Sequence, residues 1–183
     1  YGLCESAKDN IRKAHDIANP GCFATAIQLA TLPLAAAGLI KDEIHVTAIT
    51  GSTGAGKKPG ETTHFSYRTD NISIYKLFTH QHLAEIKKNL GRYGQEPKVN
   101  FVPLRGDFAR GIFASVYTKA VEGMTQDDYR KIYEDYYAES PFVFHSNEGI
   151  SMKEVVNTNK GLVHVEVHDE YVHIASCIDN LVK

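Results

Sequence analysis

Apolar and polar positions recur along the chain in patterns typical of both helices and strands. The predicted helices cover residues 5–15, 22–37, 81–91 and 125–137. The second is largely apolar, interrupted by Thr25, Gln28, Thr31 and Pro33, and is closed by Gly38, which predicts a buried helix. The fourth begins at Thr125, and Asp128 stands where a first-turn acid returns a hydrogen bond to the cap. Its face carries tyrosines at helical spacing, which predicts packing: Tyr129, Tyr133, Tyr136 and Tyr137.

Alternating apolar and β-branched residues predict five strands. They cover residues 44–49, 98–104, 111–119, 162–167 and 171–177. The last two form a hairpin, with valines on one face of its first strand and polar residues on the other. The polar segment 61–76 has no clear period. Together the elements predict an α+β fold with a mixed or largely antiparallel sheet.

Length, charge and cysteine content narrow the functional classes. With 183 residues the chain can bury one good core but not two full domains. Twenty Lys and Arg against 22 Asp and Glu give a net charge of -2 without a basic run, so neither nucleic acid nor an anionic membrane is an expected partner. No segment is apolar enough to predict a membrane span. Three scattered cysteines and no signal-peptide pattern predict a cytoplasmic protein.

Cys22 is the first candidate for chemistry. It follows the turn Asn19-Pro20-Gly21 and opens the long apolar helix. A thiol at a helix start meets unpaired amides and the positive end of the helix dipole, which favours the thiolate. Gly21 leaves the approach to the sulfur uncrowded. The alternative is a buried structural cysteine, the commoner role of a free thiol.

The glycine-rich loop 51–60 nearly matches the phosphate-binding pattern G-x-x-x-x-G-K-[ST]. Lys58 stands where a hydroxyl must coordinate magnesium, and Pro59 and Gly60 follow where a helix should begin. The loop is not a dinucleotide fingerprint either. We therefore disfavour an NTPase and expect either amides that approach a cofactor or oxyanion closely, or a flexible surface loop.

Nine histidines raise the question of a metal site. His80 and His82 have suitable spacing, but no carboxylate or cysteine completes a ligand pattern, so no metal is expected. Either histidine could instead act as an acid or base. On the final hairpin, His164, His168 and His173 are predicted to be solvated.

Arg110 precedes the strand at 111–119. Its guanidinium could make paired hydrogen bonds to a carboxylate or phosphate. An exposed arginine at a strand edge is the alternative.

Five segments, taken in order, form a recognisable set. They are Tyr1-Gly2-Leu3, Asn19-Pro20-Gly21-Cys22 with Thr25 and Ala26, the glycine loop, Arg110-Gly111-Ile112, and Asp179-Asn180-Leu181-Val182-Lys183. In this order they resemble the N-acetyl-gamma-glutamyl-phosphate reductases, relatives of the aspartate-semialdehyde and glyceraldehyde-phosphate dehydrogenases. The resemblance covers essentially the whole chain. Its most specific part is the nucleophile motif around Cys22.

The resemblance implies that residues 1–183 are the catalytic and dimerisation domain of a longer two-domain reductase, with the fold of the glyceraldehyde-3-phosphate dehydrogenase C-terminal domain. The implied reaction is the NADPH-dependent reduction of N-acyl-L-glutamyl 5-phosphate to the semialdehyde and phosphate, in arginine biosynthesis, through a Cys22 thioester. NADP would bind mainly to a Rossmann half that is absent from these residues, so the domain alone would bind NADPH poorly. A homodimer or homotetramer is also implied.

The resemblance also implies site residues. His82 corresponds to the general base in the segment 80–85, where the family usually has His-Arg-His-x-Pro-Glu. The implied substrate contacts are His80, Glu85 and Arg110, and the implied cofactor contacts are Gly54, Ala55 and Asn180.

Six positions depart from the family pattern, namely Thr50, Thr53, Lys57, Gln81, Ala84 and Leu104. These departures predict an altered acyl pocket and leave open a bulkier or more acidic acyl group, such as succinyl. Two other functions also stay open. One is an aspartate-semialdehyde type of acyl-phosphate dehydrogenase, and the other is a non-catalytic oligomerisation module with an unreactive Cys22.

Overall fold

The computed structural model describes residues 1–183, which form five α-helices and seven strands. In chain order these are α1 Cys4–Lys13, α2 Cys22–Ala36, β1 Ile44–Thr50, α3 Phe65–Arg68, β2 Ser73–Ile74, α4 His82–Gly91, β3 Val99–Arg105, β4 Ile112–Lys119, α5 Gln126–Tyr137, β5 Val143–His145, β6 Gly161–His168 and β7 Tyr171–Ile178. Every helix and strand predicted from the periodicity is present, with shifts of one or two residues at most ends. The capping box of Thr125 and Asp128 is confirmed as well.

All seven strands join one sheet in the order β2-β3-β1-β4-β7-β6-β5. β1 pairs in parallel with β3, and β5 with β6, while the other four pairs are antiparallel. This confirms the predicted mixed, largely antiparallel sheet. The register brings Thr50, Arg105, Ile112 and Ile178 side by side, so four central strands share one end. The loops at this end carry the glycine loop, Arg110 and Asn180.

Helix α2 forms the centre of the core because it is apolar on every side. It lies across one face of the sheet and contacts β1, β4, β6 and β7. The hydroxyls of Thr25 and Thr31 donate to carbonyls one turn earlier, Gly21 O and Ile27 O, so burial leaves neither hydroxyl unpaired. No helix of the structure is both long and apolar enough to cross a membrane.

A proline inside α2 accounts for the hydrogen bond of one of two buried tyrosines. Pro33 has no N–H to donate to Leu29 O, the carbonyl four residues earlier. The Tyr137 hydroxyl donates to that carbonyl at 2.6 Å, and the Tyr133 hydroxyl donates to the neighbouring Ala30 O at 2.5 Å. Helix α5 thus packs on α2 through its tyrosines, as their spacing predicts, and supplies the partner that Pro33 removes.

Three features differ from the sequence prediction. The segment 61–76 is not wholly irregular, because it contains α3 and the short edge strand β2. β5 is an additional strand. His164 is buried and not solvated, since its ring lies within 2.9 Å of the Ser146 carbonyl and 3.1 Å of the Glu166 carboxylate. His168 is exposed as expected, and His173 is half-buried.

Helices leave one face of β1 and β4 largely uncovered. Along β1 and β4 every second residue is buried beneath the helices, and the intervening side chains are half-buried or exposed. The uncovered face carries stacked aromatic rings: His45 lies parallel to Tyr117 at 4.9 Å, and Tyr117 meets Tyr171 edge-on at 5.8 Å.

Candidate active site

Two helix starts meet at the candidate nucleophile. Cys22 is the first residue of α2, and His82 is the first residue of α4. The His82 ring lies so close to Gly21 that a β-carbon at this position would stand 2.2 Å from Nε2. Only glycine therefore allows the imidazole to pack beside the residue that precedes Cys22.

The Glu85 carboxylate ties α4 to the start of α2. Its Oε2 accepts a hydrogen bond from the Gly21 N–H at 3.1 Å, and its Oε1 accepts one from Gln28 Nε2 at 3.3 Å. Only 3% of Glu85 is exposed. Both oxygens are engaged inside the protein, which argues against the predicted substrate contact. In this structure Glu85 holds the start of α2, and its contact with substrate stays a prediction.

His80 is enclosed by aromatic rings. Its ring lies 5.5 Å from those of Phe23 and Phe101 and 5.7 Å from that of Tyr75. Its Nδ1 accepts a hydrogen bond from the His82 N–H at 3.2 Å, and only 4% of the residue is exposed. This burial also argues against a substrate contact. His80 instead holds the backbone of His82 in place.

Burial sets the protonation states at this site. Burial raises the pKa of the Cys22 thiol, and the negative charge of Glu85 raises this pKa further. Hydrogen bonds from the backbone amides of Phe23 and Cys22 lower the pKa, but by less than burial raises it. The expected preference for the thiolate is therefore wrong for this structure, because desolvation outweighs the helix start. Burial also lowers the pKa of His82, and Lys76 lowers it further. Both directions favour a protonated Cys22 thiol and a neutral His82 imidazole at neutral pH, and a neutral imidazole can act as a base.

A second cluster forms around the glycine loop. A 3-10 turn over Ser52–Ala55, and not an α-helix, follows β1. The Asn180 amide fixes this loop: its Oδ1 accepts from the Gly111 N–H at 2.7 Å, and its Nδ2 donates to Thr53 Oγ1 at 3.1 Å. Gly54 and Ala55 are exposed beside it. Their backbone is open to a ligand, as a cofactor contact would require.

Arg110 is anchored by a buried carboxylate. Its Nη2 lies 3.0 Å from Asp179 Oδ1, and its side chain is 30% exposed whereas that of Asp179 is fully buried. The remaining guanidinium N–H groups can still meet an anionic ligand. Asp179 also accepts hydrogen bonds from the backbone N–H groups of Asn157, Leu181 and Val182.

A series of contacts links the two clusters. Arg105, at the end of β3, stacks its guanidinium 4.6 Å from the centre of the Tyr75 ring, which borders His80. Arg105 is in register with Thr50, and Thr50 with Ile112, next to Arg110 and the glycine loop. The structure therefore gathers residues of four separate segments around one region.

Three site residues escape prediction from the sequence, namely Gln28, Tyr75 and Asn89. Gln28 is the single amide side chain in a mostly apolar helix, and Asn89 follows Glu85 by one helical turn. Both are weak sequence signals that could have indicated a buried hydrogen-bond network. No group of three or more ligand-type side chains that could hold a metal ion occurs in the structure.

Comparison with known sequences agrees with this geometry. The family model described as semialdehyde dehydrogenase, dimerisation domain, matches residues 22–180. The N-acetyl-gamma-glutamyl-phosphate reductases of Azobacteroides pseudotrichonymphae and Parabacteroides distasonis are 54% and 51% identical over the whole chain. The resemblance found in the sequence is thereby confirmed. The chain spans 56% and 57% of the length of these two relatives.

Solved structures share the fold at low identity. Aspartate semialdehyde dehydrogenase II from Vibrio cholerae has a TM-score of 0.68 at 16% identity, with 97% of this chain and 61% of that chain covered. A probable aspartate-semialdehyde dehydrogenase from Pseudomonas aeruginosa has a TM-score of 0.72 at 12% identity, with 97% and 62% covered. From the extent of the family match, this chain belongs to the semialdehyde dehydrogenase dimerisation-domain family.

Proposed function

We propose that this domain supplies the nucleophile and base of a cytoplasmic reductase that converts N-acyl-L-glutamyl 5-phosphate to the 5-semialdehyde and phosphate in arginine biosynthesis. One observation carries the proposal: the neutral His82 ring packs against Gly21, directly before Cys22 at the start of a buried helix. The identity to named reductases supports the substrate class. Three unpaired cysteines suit a reducing compartment.

The residues present can carry out the acyl transfer. As Cys22 Sγ attacks the acyl carbon, His82 accepts the thiol proton. The carbon–oxygen bond to phosphate then breaks, phosphate leaves with the electron pair, and a thioester remains. Amides at the start of α2 stabilise the developing oxyanion. The exposed N–H groups of Arg110 bind a carboxylate or phosphate of the substrate.

Hydride chemistry requires a nicotinamide cofactor. Bound NADPH would supply the hydride that reduces the thioester to the aldehyde. The exposed backbone of Gly54 and Ala55 fits the edge of such a cofactor, and Asn180 keeps one amide N–H beyond its bond to Thr53. We propose that most of the cofactor contacts come from outside residues 1–183.

Acyl transfer can be tested without the cofactor. Incubation of the chain with N-acetyl-L-glutamyl 5-phosphate is expected to add one N-acetylglutamyl group to Cys22, as read by intact mass and peptide mapping. The Cys22→Ser variant should show no thioester, while Cys177→Ser should behave as wild type because that thiol is buried in the sheet. Absence of a stoichiometric adduct under conditions where the acyl phosphate survives would contradict the proposal.

The same assay separates the alternatives. The structural likeness to aspartate semialdehyde dehydrogenases favours β-aspartyl phosphate as a second candidate substrate. Faster acylation by β-aspartyl phosphate than by the N-acetyl or N-succinyl glutamyl phosphates would assign the domain to that chemistry. No acylation by any of the three would indicate an oligomerisation module.

We further propose that the chain forms a homodimer, or a tetramer built from such dimers, through the uncovered face of the sheet. The matching family is described as a dimerisation domain. The uncovered face presents the aromatic group of His45, Tyr117 and Tyr171. Aromatic side chains are enriched at protein interfaces, and a sheet face can pack against its own copy around a two-fold axis.

An arginine in this group is expected to weaken the dimer. Tyr117→Arg should raise the dissociation constant at least about tenfold, measured by analytical ultracentrifugation, because it places a charge within the interface. Tyr67→Arg is the matched control, since Tyr67 lies on α3 and is 40% exposed against 41% for Tyr117. Equal effects of the two variants would place the interface elsewhere.

A further inference from the structure

Gln28 is the only side chain of α2 that makes a polar contact with another element. Its neighbours in the helix are apolar, and the two other polar residues, Thr25 and Thr31, bond to the backbone of their own helix or its cap. Gln28 is fully buried. A buried amide destabilises a core unless its hydrogen bonds are satisfied, so its partners matter.

Those partners form a chain of hydrogen bonds along the interface of α2 and α4. Asn89 Nδ2 donates to Gln28 Oε1, Gln28 Nε2 donates to Glu85 Oε1, and Glu85 Oε2 accepts from the Gly21 N–H. Glu85 and Asn89 lie one turn apart on α4, and Gln28 faces them from α2. The chain therefore runs from the middle of the helix pair to the residue before the nucleophile.

The direction of this chain is fixed by its donors. An ionised Glu85 carboxylate can only accept, so the Gln28 NH2 group must point towards it, and the Gln28 oxygen accepts from Asn89. The Glu85 carboxylate forms no ion pair, and its hydrogen-bond donors are both neutral, the Gly21 N–H and Gln28. Other ionisable groups that influence it are the Cys22 thiol and the N-terminal ammonium. Loss of Gln28 would leave a buried carboxylate with a single donor.

We propose that Gln28 and Asn89 are positioning residues for Cys22: they aim the Glu85 carboxylate at the Gly21 N–H and so fix the first turn of α2 against the His82 ring. The inference rests on the proposed role of Cys22 as nucleophile, but its test uses no acyl phosphate. Failure of acylation would overturn the proposed function and leave the positioning result intact.

The Gly21 amide resonance provides the readout. In the 15N-labelled chain its proton shift should follow the titration of Glu85, and Glu85→Gln should abolish that titration, which assigns the signal. In Gln28→Met, which keeps the side-chain volume but removes the donor, the midpoint is expected to rise by about one pH unit, since a carboxylate that loses a donor is a weaker acid. Asn89→Leu should move it in the same direction by less.

Alkylation of Cys22 by iodoacetamide supplies the second measurement. Gln28→Met should change its rate at least about threefold in the wild-type background and not in the Glu85→Gln background, because coupled residues give non-additive effects. Thr31→Val is the matched control: it removes another buried polar group of α2 and should alter neither readout. A folded Gln28→Met chain with an unchanged Gly21 midpoint and an unchanged alkylation rate would overturn the inference. If Gln28→Met does not fold, the same criteria apply to Asn89→Leu.

Discussion

Gly21→Ala is expected to slow acylation of Cys22 by about a hundredfold, the scale of effect that a misplacement of about 1 Å has on a reacting pair. The new β-carbon would stand 2.2 Å from His82 Nε2, so the imidazole must leave its place. The backbone of Gly21, with φ at -69° and ψ at 152°, is one that alanine adopts readily. The displaced ring is the end of a side chain that can rotate, so the chain should still fold.

Single-turnover acylation, with thermal unfolding measured in parallel, checks this expectation. Gly91→Ala is the matched control, because a β-carbon there meets no atom within 4 Å. It should acylate at the wild-type rate. If Gly21→Ala also acylates within about twofold of wild type while remaining folded, the His82 ring does not serve as the base that the mechanism requires.

Asp179→Asn is expected to destabilise the chain by about 3 kcal/mol at pH 7, because it breaks a buried charged pair and places an amide N–H against backbone donors. The Asp179 carboxylate accepts from Arg110 on Oδ1 and from the Asn157 N–H on Oδ2. In the Asp179→Asn variant an NH2 group replaces one of the two carboxylate oxygens. That NH2 group would then face either Arg110 or the Asn157 N–H, and both of these are donors. Urea unfolding measures the loss. Asp135→Asn, at an exposed pair with Lys131, should change stability by less than about 0.5 kcal/mol.

The effect of Asp179→Asn should also depend on pH. Burial acts to raise the pKa of Asp179, but hydrogen bonds from Asn157, Leu181 and Arg110 together hold it below its usual value. A carboxyl whose pKa is lowered in the folded state stabilises the fold at pH values above its pKa in the unfolded chain, about 3.9. This contribution is lost as the pH falls through the pKa of the folded state. The difference between wild type and variant should therefore be constant from about pH 5 to 7 and shrink below about pH 4. A difference that persists undiminished at low pH would contradict the ionic role of Asp179.

The sequence by itself determined the features that depend on neighbouring residues. A long, mostly apolar segment after Asn19-Pro20-Gly21 favours a buried helix, and Thr125 with Asp128 can cap a helix without any distant partner. Alternation gives the long strands, and the order of motifs gives the family. These features extend to Cys22, whose place at a helix start follows from local pattern alone.

The tertiary structure decided what depends on burial and on distant pairing. Gly21 and Glu85 are 64 positions apart, so no local pattern shows that the carboxylate holds the start of α2. His80 and His164 have ordinary sequence surroundings but are enclosed by packed rings or loops. The Cys22 thiol shows this most clearly. The amides at the helix start lower its pKa, as the sequence predicts, but desolvation by residues from elsewhere in the chain raises the pKa by more, so the net shift is upward.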